Sequence, residues 1–244
     1  MPRFPIRKEP STEDDGTLRG KISESDYTHI TKVLRLGAGD RITVFDTEST
    51  EYEGTITYLS DRTIALQVHD TRMLETEPEL ELNLFQAILK GNRMDGIISQ
   101  ATQLGVSGIF PVVSERTQVR STAKVDRWNK IAGESTKQCG RVTPPLVSEP
   151  VDFQRSLEIR NESEMKIVLY ENQSELLRDY MGSHEKSVRT INLFIGPEGG
   201  FPEQEITLAK EKGYAILGLG ERILRAETAS VVSLALLQSH FGDI

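Results

Sequence analysis

Apolar and polar positions change their period about a third of the way along the chain. Between residues 37 and 70, "DRITVFD", "YEGTITYL" and "TIALQVHD" are β-branched and aromatic runs separated by Asp, Ser, Thr and Gly. Such runs predict short strands. Just before them, "SESDYTHITKVLRLGAGD" predicts a short helix capped by Ser23 or Ser25 and closed by Gly37. A small β-barrel within residues 1–75 is the natural architecture for this half. From about Leu80 strands and helices alternate. "LELNLFQAIL", "GIFPVVS", "MKIVLYE", "TINLFIG" and "AILGLG" predict strands. In "NRMDGIISQATQLG", Met94, Ile97, Ile98, Ala101 and Leu104 share one helical face, with Asn92 as cap and Gly105 as terminator. Further helices are expected around Trp128 and at "SELLRDYM", "PEQEITLAKEKG" and "ETASVVSLALLQSHF", whereas "EPVDFQRSLEIRNESE" reads as polar surface. Alternation of this kind predicts a parallel sheet covered on both faces over residues 76–244.

Composition narrows the chemistry. The 244 residues carry a net charge of −8, which on its face disfavours a nucleic-acid partner. The basic residues are clustered, however. Arg116, Arg120, Lys124, Arg127, Lys130, Lys137 and Arg141 face only Asp126 and Glu134 in that span, a local excess of five positive charges. A solvated helix face is the plain alternative. One cysteine, Cys139, excludes an internal disulfide, and four scattered histidines give no metal-ligand spacing, so no metal is expected. "MPRFPIRKEP" lacks an apolar signal core and "VVSLALL" is too short to span a bilayer, which makes the cytoplasm the expected compartment and a membrane partner unexpected.

The candidate site lies at strand ends. In "NLFIGPEGGFPEQE" a strand runs into three glycines and a proline, and then into a helix with Pro202 at its first position and Glu203 and Glu205 in its first turn. Bare backbone at the carboxyl end of a parallel strand is a ligand position. The run is neither a dinucleotide nor a triphosphate loop, and Glu198 in its middle would repel phosphate. "IVLYE" and "AILGLGERILRAETAS" end in comparable fashion, at Tyr170-Glu171 and at Leu-Gly-Leu-Gly. Loops of Gly, Leu, Ile and Pro can enclose a flat ring such as adenine; each glycine alone is equally a turn or a cap.

Taken in order, "HITKVLRLGAGD", "KGNRMDGIISQATQLGVSGIFPVVSER", "ESTKQCGR", "GPEGGF" and "LGERILRAETAS" resemble the RsmE family over nearly the whole chain. These are SPOUT-superfamily methyltransferases that use S-adenosylmethionine to methylate N3 of a uridine in small-subunit ribosomal RNA. The resemblance implies a PUA-like β-barrel RNA-binding domain at 1–75 and an α/β methyltransferase domain at 76–244 with a C-terminal trefoil knot. It also implies a homodimer and, as partner, 16S ribosomal RNA in the 30S subunit. S-adenosylmethionine is then expected on three loops. The first holds Leu169 and Tyr170; the second Gly196, Pro197, Glu198, Gly199 and Gly200; the third Leu217, Gly218, Leu219, Gly220, Ile223, Leu224 and, beyond it, Thr228. A bulky residue at Gly199 is expected to abolish cofactor binding. Methyl transfer asks mainly for alignment and electrostatics. Uridine N3 must lose a proton, so Arg225 is the candidate cation at the base oxygens, with Glu227 or Glu198 as candidate proton acceptor or orienting group. A helix-capping or interface salt bridge is the alternative role for Arg225. Arg35, Arg116, Arg120, Lys124, Arg127 and Arg141 are candidate phosphate contacts. His29 is expected to be a hydrogen-bonded structural histidine and Cys139 a small buried residue. A ribose 2′-O-methyltransferase would use a similar glycine loop, but "ILRAETAS" stands where its asparagine-containing motif would be. A non-catalytic ribosome-assembly protein remains the alternative of another class, although nothing is visibly missing from the loops.

Overall fold

Strand pairing separates the chain into two units. The computed structural model describes residues 3–9, 16–171 and 173–244; the two ends of "MPRFPIRKEP" lie outside them. The first unit comprises residues 1–77 with 137–143, and the second 78–136 with 144–244.

In the first unit, β1 (Arg3–Pro5), β2 (Arg7–Lys8), β3 (Thr17–Lys21), β4 (Arg41–Phe45), β5 (Thr50–Ser60) and β6 (Thr63–Met73) form a six-stranded sheet in the order β1-β4-β5-β6-β3-β2. β1 runs parallel to β4 and the other pairs are antiparallel. The two ends of this path, β1 and β2, are separated in sequence by Ile6 alone, so one extended segment borders both edges. β5 and β6 meet in a two-residue turn, Asp61 and Arg62, with φ of 49° and 62°. That pair of left-handed residues suits the twist of a tight hairpin. Phe4, Ile22, Ile30, Ile42, Val44, Ile56, Ile64 and Leu66 fill the interior. Helix α1 (Glu24–Thr28) is capped by Ser23, whose Oγ accepts from the Asp26 N–H, and continues as a π-turn over His29–Val33. The chain leaves it through Arg35, at φ 56°, two residues before the expected Gly37. Three strands before Ser23 escape the hydrophobic pattern because they are short and carry Arg, Lys and Pro.

The second unit is a parallel sheet, as its strand and helix alternation predicts. It contains β7 (Glu81–Ala87), α2 (Arg93–Gln103), β8 (Gly108–Val113), all but the last three residues of α3 (Val125–Cys139), β9 (Leu146–Val147), β10 (Val151–Asp152), α4 (Phe153–Ser156), β11 (Met165–Leu169), α5 (Leu177–Gly182), β12 (Thr190–Ile195), α6 (Glu203–Glu211), β13 (Ala215–Leu217) and α7 (Ala226–Phe241). The order is β10-β8-β7-β12-β11-β13, with β9 beside β8, and every pair is parallel. Alternate residues of each strand enter opposite cores. Ile191, Leu193 and Ile195 of β12 join a cluster with α2, α3, α5 and α7. Phe194 joins the other, where Phe110, Phe85 and Phe194 from three adjacent strands stack at centroid spacings of 4.6 and 4.3 Å.

Several local expectations shift. Pro202 sits one position earlier than expected, as the N-cap residue of α6, so Glu203 opens the helix. Asn92 makes no side-chain cap bond to α2. The segment expected to be polar surface contributes β10 and α4 and buries Phe153 and Leu157. Cys139 is exposed, because it lies on the outer side of the last turn of α3. His29 is exposed too, its ring edge-on to Phe4 at 5.7 Å.

Candidate functional site

Because β12, β11 and β13 are neighbours, their carboxyl ends open into one cavity of about 510 Å³. Leu169, Ile195, Leu219 and Leu224 supply apolar lining; Gly196, Pro197, Gly200 and Gly220 supply backbone. Tyr170, Ile223, Arg225, Glu198 and Glu227 also line it. The structure therefore brings together most of the loop residues singled out in the sequence, from three stretches of chain far apart in number.

Four of them stand elsewhere. Leu217 is fully buried in the core below. A Cβ on Gly218 would meet the Gln173 carbonyl at 2.8 Å, away from the cavity lining. Thr228 is exposed on α7 and does not line the cavity. Gly199 faces Arg116, whose Nη1 donates to the Gly199 carbonyl at 2.8 Å.

The glycines have local reasons to be glycine. Gly200 has φ 66°, and a Cβ there would stand 2.5 Å from Oε1 of Glu171. At Gly196 a Cβ would press on Phe201 at 3.3 Å. The positive φ at 200 and the approach of Phe201 at 196 favour glycine at both positions, and leave the loop's backbone uncovered at the cavity.

Cations outnumber carboxylates at the cavity wall by four to three, and two of the carboxylates share one guanidinium. Lys90, Arg93, Arg222 and Arg225 meet Glu171, Glu198 and Glu227 at the cavity wall. Oε1 of Glu198 accepts from the Lys90 N–H at 3.1 Å and from Arg93 Nη1 at 2.9 Å. Arg93 Nε also lies 3.9 Å from Oε1 of Glu227. Glu227 occupies the first turn of α7, where the helix dipole favours a carboxylate. Its Oε2 is buried with no hydrogen-bond partner among the described residues. Arg225 precedes α7, is exposed, and makes no side-chain cap bond, so the expected capping alternative is absent at that position. Lys90, Arg93, Gln118, Glu171 and Arg222 are lining residues that the sequence reading did not select. Lys90 and Arg93 stand in the quoted "KGNRMDG", after β7; only the adjacency of β7 and β12 reveals that this turn borders the glycine loop.

The basic segment divides. Arg116, Arg120 and Arg127 are exposed; among the described residues their guanidinium groups bond the Gly199 carbonyl, the Glu115 carbonyl and the Asp95 carboxylate in turn. Lys124 is half-buried and donates to Gly91 O at 2.9 Å. The start of this loop is pinned to α6, with Ser114 Oγ donating to Glu205 Oε2 at 2.6 Å and the Glu115 N–H to Oε1 at 2.9 Å. Burial pushes the Glu205 carboxyl above its usual range, against the pull of those two bonds. Arg141 is unsuited to a phosphate. It is 6% exposed and its guanidinium is spent on Glu77, at 2.8 Å. Arg35 is exposed in the first unit at its left-handed turn. Among the described residues no group of His, Cys, Asp or Glu is arranged to hold a metal ion, and no helix is long and apolar enough to cross a membrane.

Comparison with known proteins gives concordant matches. Residues 76–238 match the family model of an RNA methyltransferase domain, and residues 22–68 that of an RNA methyltransferase PUA domain. The ribosomal RNA small subunit methyltransferase E of Buchnera aphidicola subsp. Acyrthosiphon pisum is 29% identical over 91% of this chain and 88% of its own length. The protein of the same name from Rickettsia conorii is 30% identical, with 92% of each chain covered. Among solved structures, a ribosomal RNA small subunit methyltransferase E from Neisseria gonorrhoeae bound to S-adenosylmethionine superposes with a TM-score of 0.86 at 30% identity, covering 100% of this chain and 99% of that one.

Proposed function

Since the chain belongs to the ribosomal RNA small subunit methyltransferase E family, we propose that it methylates N3 of a uridine in 16S ribosomal RNA with S-adenosylmethionine as donor. The observation that carries this reading is the cavity itself. Three adjacent strand ends offer an apolar slot and open backbone, with carboxylates beside them and no phosphate loop. That donor set fits a cofactor with an adenine ring and a cationic sulfonium. Leu169, Tyr170, Gly196, Pro197, Glu198, Gly200, Leu219 and Leu224 would hold it. When bound, the cofactor supplies an activated methyl group, whose S–C bond breaks as the bond to N3 forms, leaving a neutral thioether.

The chain's own residues would do the rest. Arg225, exposed at the cavity rim, would stand against the uracil oxygens and stabilise the anion that N3 deprotonation creates. A carboxylate of the cavity would take or orient the proton. A paired base hides N3, so the target uridine must be unpaired or flipped out. Arg116, Arg120, Lys124 and Arg127, with Arg35 of the first unit, would hold phosphates.

The finer architecture belongs to the same reading. Residues 1–75 form a PUA-like β-barrel that binds RNA, supported by the single extended segment that borders both edges of its sheet. Residues 76–244 form the methyltransferase domain, with a trefoil knot at its carboxyl end. The active form is a homodimer, supported by Val232 and Leu236, each 37% exposed on a helix apolar almost all round. It acts in the cytoplasm on the assembled 30S subunit. Mass mapping of modified uridines in 16S ribosomal RNA, from cells with and without this protein, tests the reaction; an unchanged N3-methyluridine content would overturn it.

A further inference from the structure

Removing one proton from uridine N3 asks for one acceptor, yet the cavity presents Glu171, Glu198 and Glu227, of which the last two share Arg93. Their surroundings are unequal. One oxygen of Glu198 already accepts two N–H bonds, from the Lys90 backbone and from Arg93 Nη1. One donor lies in the turn after β7 and the other opens α2, so this carboxylate ties the glycine loop to the start of that helix. Glu227 is held more lightly. Its Oε1 is 3.9 Å from Arg93 Nε, and its Oε2 is buried without a hydrogen-bond partner among the described residues. A carboxylate oxygen withdrawn from water is costly unless some group donates to it, and no described protein group does so here.

We propose that Arg93 is a positioning residue for methyl transfer. Its one guanidinium fixes Glu198 as a brace and holds Glu227 by Oε1, so that Glu227 rather than Glu198 accepts the N3 proton. This inference rests on the reaction proposed above. A planar fork suits the task, because Nη1 and Nε hold two carboxylates at a fixed spacing and orientation to each other. The proton passes from N3 to Glu227 as N3 gains its methyl group, and from Glu227 to solvent afterwards. Arg225 stays free for the uracil oxygens, since Arg93 compensates the carboxylate charge behind it.

The test is single-turnover methylation of small-subunit RNA by the full-length protein at saturating S-adenosylmethionine, with cofactor affinity measured separately by calorimetry. Arg93→Ala and Glu227→Gln should each lower the saturated rate on the order of a hundredfold, the loss typical of a misplaced reacting group. The double variant should be no slower than Glu227→Gln alone, because Arg93 acts through Glu227. The rate of either variant should climb with pH more steeply than that of the wild type, as hydroxide replaces the missing acceptor. Glu198→Gln should cost more cofactor affinity and less saturated rate than Glu227→Gln. Should Arg93→Ala fail to fold, Arg93→Gln keeps part of the side chain's bulk, loses the charge and the reach of the guanidinium, and serves the same comparison. Additive losses in the double variant, or a greater rate loss in Glu198→Gln, would overturn the assignment. A wild-type protein that binds the cofactor but leaves N3 unmethylated would instead sink the reaction on which the assignment rests.

Discussion

Glu171 and Gly200 compete for one corner of the cavity: a Cβ added to Gly200 would lie 2.5 Å from Oε1 of Glu171. Gly200 also has φ 66°, a conformation that costs an L-residue about 1 kcal/mol or more. Gly200→Ala should therefore weaken S-adenosylmethionine binding by at least tenfold in calorimetry, by about 1.4 kcal/mol. Gly199→Val, whose new Cβ would make ordinary contact with Arg116 at 3.7 Å, should retain more affinity than Gly200→Ala. The opposite ranking would show that Gly199, not Gly200, sets the loop.

Arg225→Ala should separate chemistry from binding. The side chain is exposed and makes no cap bond, so its loss should leave folding and cofactor affinity near wild type. The saturated single-turnover rate should fall on the order of a hundredfold or more, as when one preorganised donor is removed. A normal rate at saturation would make Arg225 a binding residue.

Charge removal along the basic segment should give two distinct results. Arg120→Ala and Lys124→Ala should weaken RNA binding and each lower the salt slope by roughly one unit. Arg141→Ala should act on stability instead, since it leaves Glu77 without the partner that faces it at 2.8 Å. Glu77 is partly exposed and keeps the Val142 and Thr143 N–H bonds, so the loss is that of a charged hydrogen bond, about 1.5–3 kcal/mol, which urea denaturation would reveal. Full stability in Arg141→Ala would return Arg141 to the phosphate contacts.

Val232 and Leu236 test the dimer. Replacing both with Glu on the exposed side of α7 should give a monomeric mass by light scattering and lower activity. The buried Leu234 and Leu237 hold the same helix to its own core, so the fold should survive. A dimeric mass for the double variant would place the interface elsewhere.

Acid should loosen the first unit. For Asp46, burial alone would raise the carboxyl, but the Lys8 ammonium and bonds from Thr50, Tyr52 and Glu48 hold it below the usual range. For Glu77 burial likewise acts upward and is outweighed by Arg141 and the backbone of Val142 and Thr143. A depressed carboxyl contributes stability that is full above its unfolded value, near pH 4, and is lost as pH falls through the folded value. Urea midpoints should thus drop below about pH 4, and the drop should shrink in Asp46→Asn. An equal drop in that variant would assign the acid sensitivity to other groups.

Much of this protein was determined locally. The alternation in β12 and the one-sided helix from Met94 to Ala101 are set by periods of two and 3.6, which any reader of the chain can count. The glycine loop after Ile195 and the polar run after Gly220 were equally legible, because backbone exposure at a strand end is written in Gly and Pro. Tertiary structure decided what those loops meet. That the turn carrying Lys90 and Arg93 lies beside Glu198 depends on β7 pairing with β12, more than a hundred residues away. Arg141 looked like one more cation in a basic run until burial paired it with Glu77. Gly199 and Gly200 are identical in sequence, and only the backbone turn sends one toward Arg116 and the other toward Glu171. Periodicity records which face of an element is apolar, whereas strand order and charge pairing arise from contacts between distant segments, which no local pattern encodes.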